Sequence, residues 1–322
     1  MKTVLLTRSE VEPLLHLPAL LPMMRQAFQA YSLQRSLPAQ RVRSLLPGQS
    51  VPGAMLLFPG LLPSIPAYTV KVHAKFPTQQ PAIKGVLLLH DLQTGDLLAV
   101  MDSTAITAVR TGLAGAVAAD VLARPDAFRV ALIGAGAQGK WQLRSLALVR
   151  QLSQVLVYDI VAERAEAFAC AMDAELPFAV RAAPSLAEAT KDAEIIVTAT
   201  WSREPFLLPY MVRLGTHITT LGPDEPGKCE VAAELLQQSL FICDDRDLAI
   251  SMGTIESLGL DEQAVHAELG EVIAGEKAGR SSAEQITIYD GVGLAFQDLV
   301  TCWYVYQQVV EGGKRRSLDF LS

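Results

Sequence analysis

Arg129-Val-Ala-Leu-Ile-Gly-Ala-Gly-Ala-Gln-Gly-Lys140 decides the fold. An apolar run, 130–133, feeds directly into Gly134-x-Gly136-x-x-Gly139, and a stretch of helical character follows over 140–149. Strand, glycine turn and helix in that order form the context in which this spacing marks a dinucleotide phosphate site. Gly134 allows the tight turn, Gly136 lets the backbone approach a pyrophosphate, and Gly139 lets helix and strand pack closely. The helix N-terminus favours the anionic phosphates. A second short apolar strand, 154–158, ends at Asp159, 20 residues after Gly139, where a carboxylate would reach a ribose hydroxyl.

Working outward, the region from Phe128 alternates strand and helix. Candidate strands are 129–133, 155–158, 178–181, 195–198, 217–221 and 240–243; helical stretches at 162–172, 185–190 and 230–238 lie between them, and a last strand covers 286–289. This is an α/β, doubly wound parallel sheet of the Rossmann kind. Upstream, short apolar runs at 42–46, 54–58, 68–72, 83–89 and 97–101 alternate with turn signals that include Pro47-Gly48, Pro52-Gly53 and Pro59-Gly60, which predicts an antiparallel sheet. Between the two regions, Asp102-Ser-Thr104 caps a helix over 105–122, so rich in Ala and Gly that another backbone can come close to it. Near the N-terminus, Thr7-x-x-Glu10 is a capping box, and Leu21, Met24, Phe28 and Tyr31 recur at helical spacing as core positions. The closing helix, 294–310, follows the parallel sheet and could return to complete the first region. The domain reading is therefore 1–122 with 294–322, around a dinucleotide-binding domain at 123–293.

Composition narrows the function classes. Half of the 322 residues are hydrophobic, 19% are charged and the net charge is −7, with no basic block, so nucleic acid and anionic membrane are not expected partners. The four cysteines are scattered without a C-x-x-C pair, as free thiols in a reducing compartment would be, and a cytoplasmic enzyme is expected. The five histidines have no ligand-type spacing, so no metal site is expected. Two cations stand out in apolar surroundings. Arg110 lies in the small-residue helix and needs an anionic partner, either a structural carboxylate or a ligand. Lys71 interrupts an apolar strand and reads equally as an edge-strand gatekeeper or a functional group.

Taken together, the stretches Val42-Arg-Ser44, Val70-Lys-Val72, the Thr107-x-x-Arg110-Thr helix, Ile133-Gly-Ala-Gly-Ala-Gln138, Gly222-Pro-Asp-Glu-Pro-Gly-Lys228, Glu268-Leu-Gly-Glu271 and 286–298 resemble the ornithine cyclodeaminase/mu-crystallin family over nearly the whole chain. That resemblance implies homodimers and hydride transfer between nicotinamide and the α-carbon of an amino acid or its imine. It makes Arg110 the carboxylate-binding arginine, Arg43 a second basic group near the substrate, Lys71 the active-site lysine, Asp224 an acid/base and Val292 a flanking residue. It puts Gly134, Gly136, Ala137 and Gln138 on the pyrophosphate, Thr200, Thr219, Thr220 and Leu221 along the nicotinamide half, and Lys228 among the cofactor contacts. Asp159 leans the NAD(P)H choice toward NAD(H), because its charge repels a 2′-phosphate, although Arg164 stands one helical turn on.

One departure bears on the reaction. Cyclodeaminases of the family carry a glutamate two residues before a Met-Pro; aligning Phe58-Pro59 with that pair puts Leu56 at the glutamate position, and no acid occurs between Arg41 and Ala82. A leucine cannot guide a distal amine. The expected activity is reduction of a cyclic imino acid, Δ1-pyrroline-2-carboxylate or Δ1-piperideine-2-carboxylate, to L-proline or L-pipecolate. Ornithine cyclodeamination, alanine or N-alkyl amino acid dehydrogenation, and a non-catalytic ligand-binding role are the alternatives.

Overall fold

The computed structural model describes residues 2–34, 41–46, 53–76, 79, 81–221, 227–313 and 316–320. Near the N-terminus, β1 (Thr3–Leu6) is followed by the Thr7 box, in which the Glu10 carboxylate accepts the Thr7 backbone N–H at 2.7 Å. The helix Leu17–Leu33 comes next and buries Leu20, Met24, Ala27, Phe28 and Tyr31. The helix starts earlier than the sequence spacing predicts, and Leu20 rather than Leu21 then falls on the stripe shared by Met24, Ala27, Phe28 and Tyr31.

The predicted antiparallel sheet forms as a meander of β2 (Val42–Leu46), β3 (Gly53–Leu61), β4 (Ala67–Lys75), β5 (Ile83–Asp91) and β6 (Leu97–Asp102). Strand β1 joins its far side parallel to β6. Pro59-Gly60, expected as a turn, instead lies inside β3. Pairing with β2 ends at Leu57, so Pro59 sits where that neighbour no longer needs its missing N–H. The Pro47-Gly48 turn signal and Pro52 lie outside the described residues. Strand β4 alternates strictly, burying Ala67, Thr69, Lys71, His73 and Lys75 on one face and half-exposing Tyr68, Val70, Val72 and Ala74 on the other.

The long helix is Ser103–Leu122, its start capped by Asp102, whose carboxylate accepts the Thr104 and Ala105 N–H groups at 3.0 and 3.1 Å. By length and composition it could cross a membrane, but most of it is buried in the protein. Its small residues serve packing: a Cβ at Gly112 would strike the carbonyl of Trp141, and one at Gly115 would strike the Gln142 side chain.

The second sheet has eight strands, all parallel: β7 (Arg129–Ile133), β8 (Gln154–Tyr158), β9 (Ala179–Ala182), β10 (Ile195–Thr198), β11 (His217–Thr220), β12 (Leu240–Cys243), β13 (Ala267–Glu268) and β14 (Thr287–Asp290). Their order is β13-β12-β14-β11-β10-β7-β8-β9, so the strand order reverses between β7 and β10, where ligands bind in doubly wound folds. Strand β13 was not anticipated; two residues give too short an apolar run to stand out.

After β14 the chain enters its closing helix, Ala295–Gly312, which covers β3, β4 and β5 and packs on the Leu17–Leu33 helix; β15 (Ser317–Leu318) then adds antiparallel to β1. The contacts anchor that helix through Phe296, stacked on Tyr31 at 4.7 Å and edge-on to Phe28 at 5.2 Å. Glycine is required at position 60, where a Cβ would lie 2.6 Å from the Ala295 carbonyl oxygen. Two compact units result: Met1–Arg110 with Leu294–Ser322, and Thr111–Gly293.

Candidate active site

In the first unit, the buried face of β4 meets the closing helix. Lys71 is 1% exposed, and its ammonium lies 3.1 and 3.3 Å from the two oxygens of Asp298. Arg110 approaches the same carboxylate, Nε to Oδ1 at 3.4 Å, and its Nη1 donates to Gln297 Oε1 at 2.7 Å. Two cations thus share one carboxylate. Burial pulls Lys71 down to about 8; Asp298 opposes that shift and Arg110 adds to it. Phe58, opposite Lys71 on β3, carries the Arg41 guanidinium over its ring at 4.7 Å and the Lys71 ammonium at 5.5 Å.

The neighbouring row of the same face holds Arg43, Leu56 and His73, paired across β2, β3 and β4. Leu56 is fully buried and forms an apolar wall with Ala54, Phe58 and Ala295. Of the first-unit residues singled out in the sequence, Lys71 and Arg110 therefore meet at one carboxylate, and Arg43 shares the sheet face of Lys71. Gln297 and Asp298 were missed. Their signal was a polar pair, Gln-Asp, in the buried stripe of an otherwise apolar helix.

In the second unit, the glycine loop has the geometry its sequence implies. Gly134 has φ +106°, and a Cβ there would lie 2.5 Å from the Ala199 carbonyl oxygen. Gly139 is as confined, 2.5 Å from the Gly134 oxygen, whereas Gly136 faces open space. The helix Ala137–Leu146 begins directly on Gly136, three residues earlier than expected, and so its unpaired N–H groups stand at the turn. Gln138 Oε1 is buried and has no hydrogen-bond partner among the described residues. Asp159 closes the loop from β8: one oxygen accepts Ala135 N–H at 2.9 Å and the other Val161 N–H at 3.0 Å. Each oxygen keeps a lone pair for a hydroxyl. Beside it a cavity of about 300 Å³ is lined by residues including Asp159, Ile160, Ala162 and Ala183. These residues fit a dinucleotide: open space over Gly136, a helix N-terminus for phosphates and a recess at the second strand.

The remaining second-unit positions gather at the carboxyl ends of β10, β11 and β14. Thr200 is held by Glu230, which accepts its N–H at 2.7 Å and its hydroxyl at 2.6 Å. Thr219 bonds His217 at 3.1 Å and Thr220 bonds Asp290 at 2.5 Å, so both hydroxyls are engaged within the protein. Lys228 donates to the Leu221 carbonyl at 2.5 Å. Asp224 itself lies outside the described residues. Val292, buried, donates its N–H to Asp244 Oδ1 at 3.1 Å, and Gly293 donates to Oδ2 at 2.7 Å. Burial raises Asp244 to about 7 against the pull of these two bonds, the Gly293 bond being the stronger. Glu230, Asp244 and Asp290 were not singled out, although Asp244 and Asp290 stand at or just past strand ends, the signal that identified Asp159.

Gly134→Ala should cost about 1–3 kcal/mol, since the side chain forces a left-handed backbone against a carbonyl. Thermal melting and NADH titration together check this, and unchanged melting with unchanged affinity would show that the turn is not strained.

The strand order and the glycine loop define a dinucleotide-binding protein, with a buried Lys–Arg–Asp cluster in the other unit. Residues 1–313 match the profile of the ornithine cyclodeaminase/mu-crystallin family, and the chain belongs to that family. It is 33% identical to the alanine dehydrogenase of Archaeoglobus fulgidus, over 99% of each chain. Among solved structures, it superposes with TM-score 0.91 and 32% identity on Thermococcus litoralis Δ1-pyrroline-2-carboxylate reductase in complex with NADH and L-proline, covering 98% of this chain and 100% of that one. It superposes equally well, at TM-score 0.91 and 32% identity with full coverage of both chains, on an archaeal alanine dehydrogenase dimer with bound NAD.

Proposed function

We propose that the protein reduces a cyclic imino acid, Δ1-pyrroline-2-carboxylate or its six-membered homologue, to the corresponding L-amino acid, using NAD(P)H with a preference for NADH. One observation carries the reading: Lys71 and Arg110 hold one positive charge more than Asp298 balances, beside a wall of Leu56, Ala54 and Phe58 that offers no acid. The surplus charge suits a carboxylate, and the wall suits ring methylenes rather than a free distal amine.

Arg110, assisted by Arg43 or Lys71, grips the substrate carboxylate; its planar fork suits a bidentate contact. Lys71, its pKa drawn down to about 8 by burial, or Asp224 keeps the imine nitrogen protonated, which makes the α-carbon electrophilic. A nicotinamide cofactor held at the Gly134–Gly139 turn and the start of the Ala137–Leu146 helix would supply the hydride for that carbon. The apolar wall keeps water from the reacting centre. A second copy of the chain would cover the half-exposed apolar face of the first sheet, which includes Leu57, Val70, Val72 and Val86; the archaeal alanine dehydrogenase of similar structure is a dimer.

A panel of cyclic ketimines, pyruvate with ammonia or amines, and ornithine, run with each cofactor, tests the reading. Cyclic ketimines should give the highest kcat/KM; dependence on ammonia would favour the alanine dehydrogenase reading, and proline from ornithine alone would sink the proposal. For the cofactor, Asp159→Asn removes charge but keeps one acceptor for the loop. The NADPH/NADH ratio of kcat/KM should then rise about tenfold, or ~1.4 kcal/mol. An unmoved ratio would mean that Asp159 serves the loop alone.

A further inference from the structure

We propose that Asp298 is the positioning residue of this site: its carboxylate fixes the Lys71 ammonium and the Arg110 guanidinium together and keeps Lys71 charged, so that both meet the substrate carboxylate already oriented. The inference rests on the reading of Lys71 and Arg110 as substrate-binding groups.

Three buried side chains from separate parts of the chain converge here: Lys71 from β4, Arg110 from the long helix and Asp298 from the closing helix, 1%, 9% and 2% exposed. Asp298 spends both oxygens on Lys71, at 3.1 and 3.3 Å, and presents Oδ1 to Arg110 Nε at 3.4 Å. Its neighbour Gln297, fully buried, takes Arg110 Nη1 at 2.7 Å. Consecutive helix residues therefore hold the guanidinium, Gln297 by a hydrogen bond to Nη1 and Asp298 by charge alone, since Nε lies within ion-pair range but makes no hydrogen bond among the described residues. A pair of unit charges would balance itself; one carboxylate between two buried cations does not, and an incoming anion would complete the set.

The charged and titratable groups around Lys71 bear this out. Arg41 comes from the segment before β2 and Arg110 from the long helix, and both disfavour its charge. His73 on its own strand faces the edge of the Phe58 ring that lies under the Lys71 ammonium. From the closing helix come Asp298 and the Cys302 thiol, whose own pKa burial pushes well up. Asp298 is the group among these that favours the ammonium. Without it, desolvation and Arg110 would drive the proton off.

The test follows the Lys71 side chain in protein labelled with 13C-lysine, its signal assigned by its loss in Lys71→Met. In the wild type it should titrate at about 8. In Asp298→Asn, which keeps the shape but not the charge, the midpoint should fall by about one unit or more. With substrate, the basic limb of the kcat/KM profile should move down with it and KM should rise, while NADH affinity stays unchanged. A midpoint that does not move overturns the proposal. Should Asp298→Asn fail to fold, Asp298→Glu takes its place: the midpoint must stay near the wild-type value while KM rises, because charge is kept and geometry is not. A midpoint that falls in Asp298→Glu overturns it as well. If the wild type reduces no imino acid and the midpoint still falls in Asp298→Asn, the substrate reading fails and the Asp298 anchor stands.

Discussion

Lys71→Met should lower kcat/KM for the cyclic imino acid by about 10²–10⁴-fold, the range expected when a positioned proton donor is removed. The change also leaves Asp298 with Arg110 as its partner, a one-to-one pair in which the surplus positive charge is gone, so the fold should persist. The pH dependence gives the assignment its edge. If the protonated lysine acts, wild-type activity falls as pH rises through about 8, and that limb should vanish in Lys71→Met. Stability responds with the opposite sense. Burial lowers the folded pKa from 10.5 to about 8, so between those values the unfolded chain binds the extra proton and folding grows more favourable as pH rises. Lys71→Met should abolish that rise. A variant with wild-type kcat/KM, or one that keeps the limb near 8, would remove Lys71 from the chemistry.

Arg110→Lys is the second large effect. The charge is kept, but the fork that takes Gln297 with Nη1 and faces Asp298 with Nε is lost. At a bidentate site this exchange is not conservative. Kcat/KM should fall roughly 30–1,000-fold, ~2–4 kcal/mol, which is the scale for losing a buried charged contact. Most of the loss should appear in KM, with a smaller loss in kcat from poorer orientation. Equal losses in KM for NADH and for substrate would point instead to a general collapse of the site, and an unaffected KM for the imino acid would refute the carboxylate role.

The fold was largely legible because its signals are local. Strand, turn and helix around Gly134 follow from glycine spacing and apolar runs, and β2 to β6 follow from alternation broken by Pro and Gly. Pro59-Gly60 misled for a long-range reason: its place inside β3 depends on where β2 stops and on the approach of Ala295, more than two hundred residues away in sequence. The site was legible in part. Lys71 and Arg110 announce themselves as cations in apolar surroundings, but the carboxylate between them does not. Asp298 stands near the start of a helix, where an acid has an ordinary reason to be, favouring the helix dipole. Only the tertiary fold shows it buried against both cations. Asp244 shows its strand-end position but not its role, which is to accept two backbone N–H groups at Val292 and Gly293, and backbone partners leave no trace in side-chain identity.

The most direct measurement supplies the enzyme with Δ1-pyrroline-2-carboxylate and NADH carrying deuterium at the transferable position of its nicotinamide, and reads the product by mass spectrometry and NMR. The expected result is L-proline with deuterium on the α-carbon, formed one for one with NADH consumed. No NADH consumption with the imine, or proline appearing only from ornithine, would contradict the assignment.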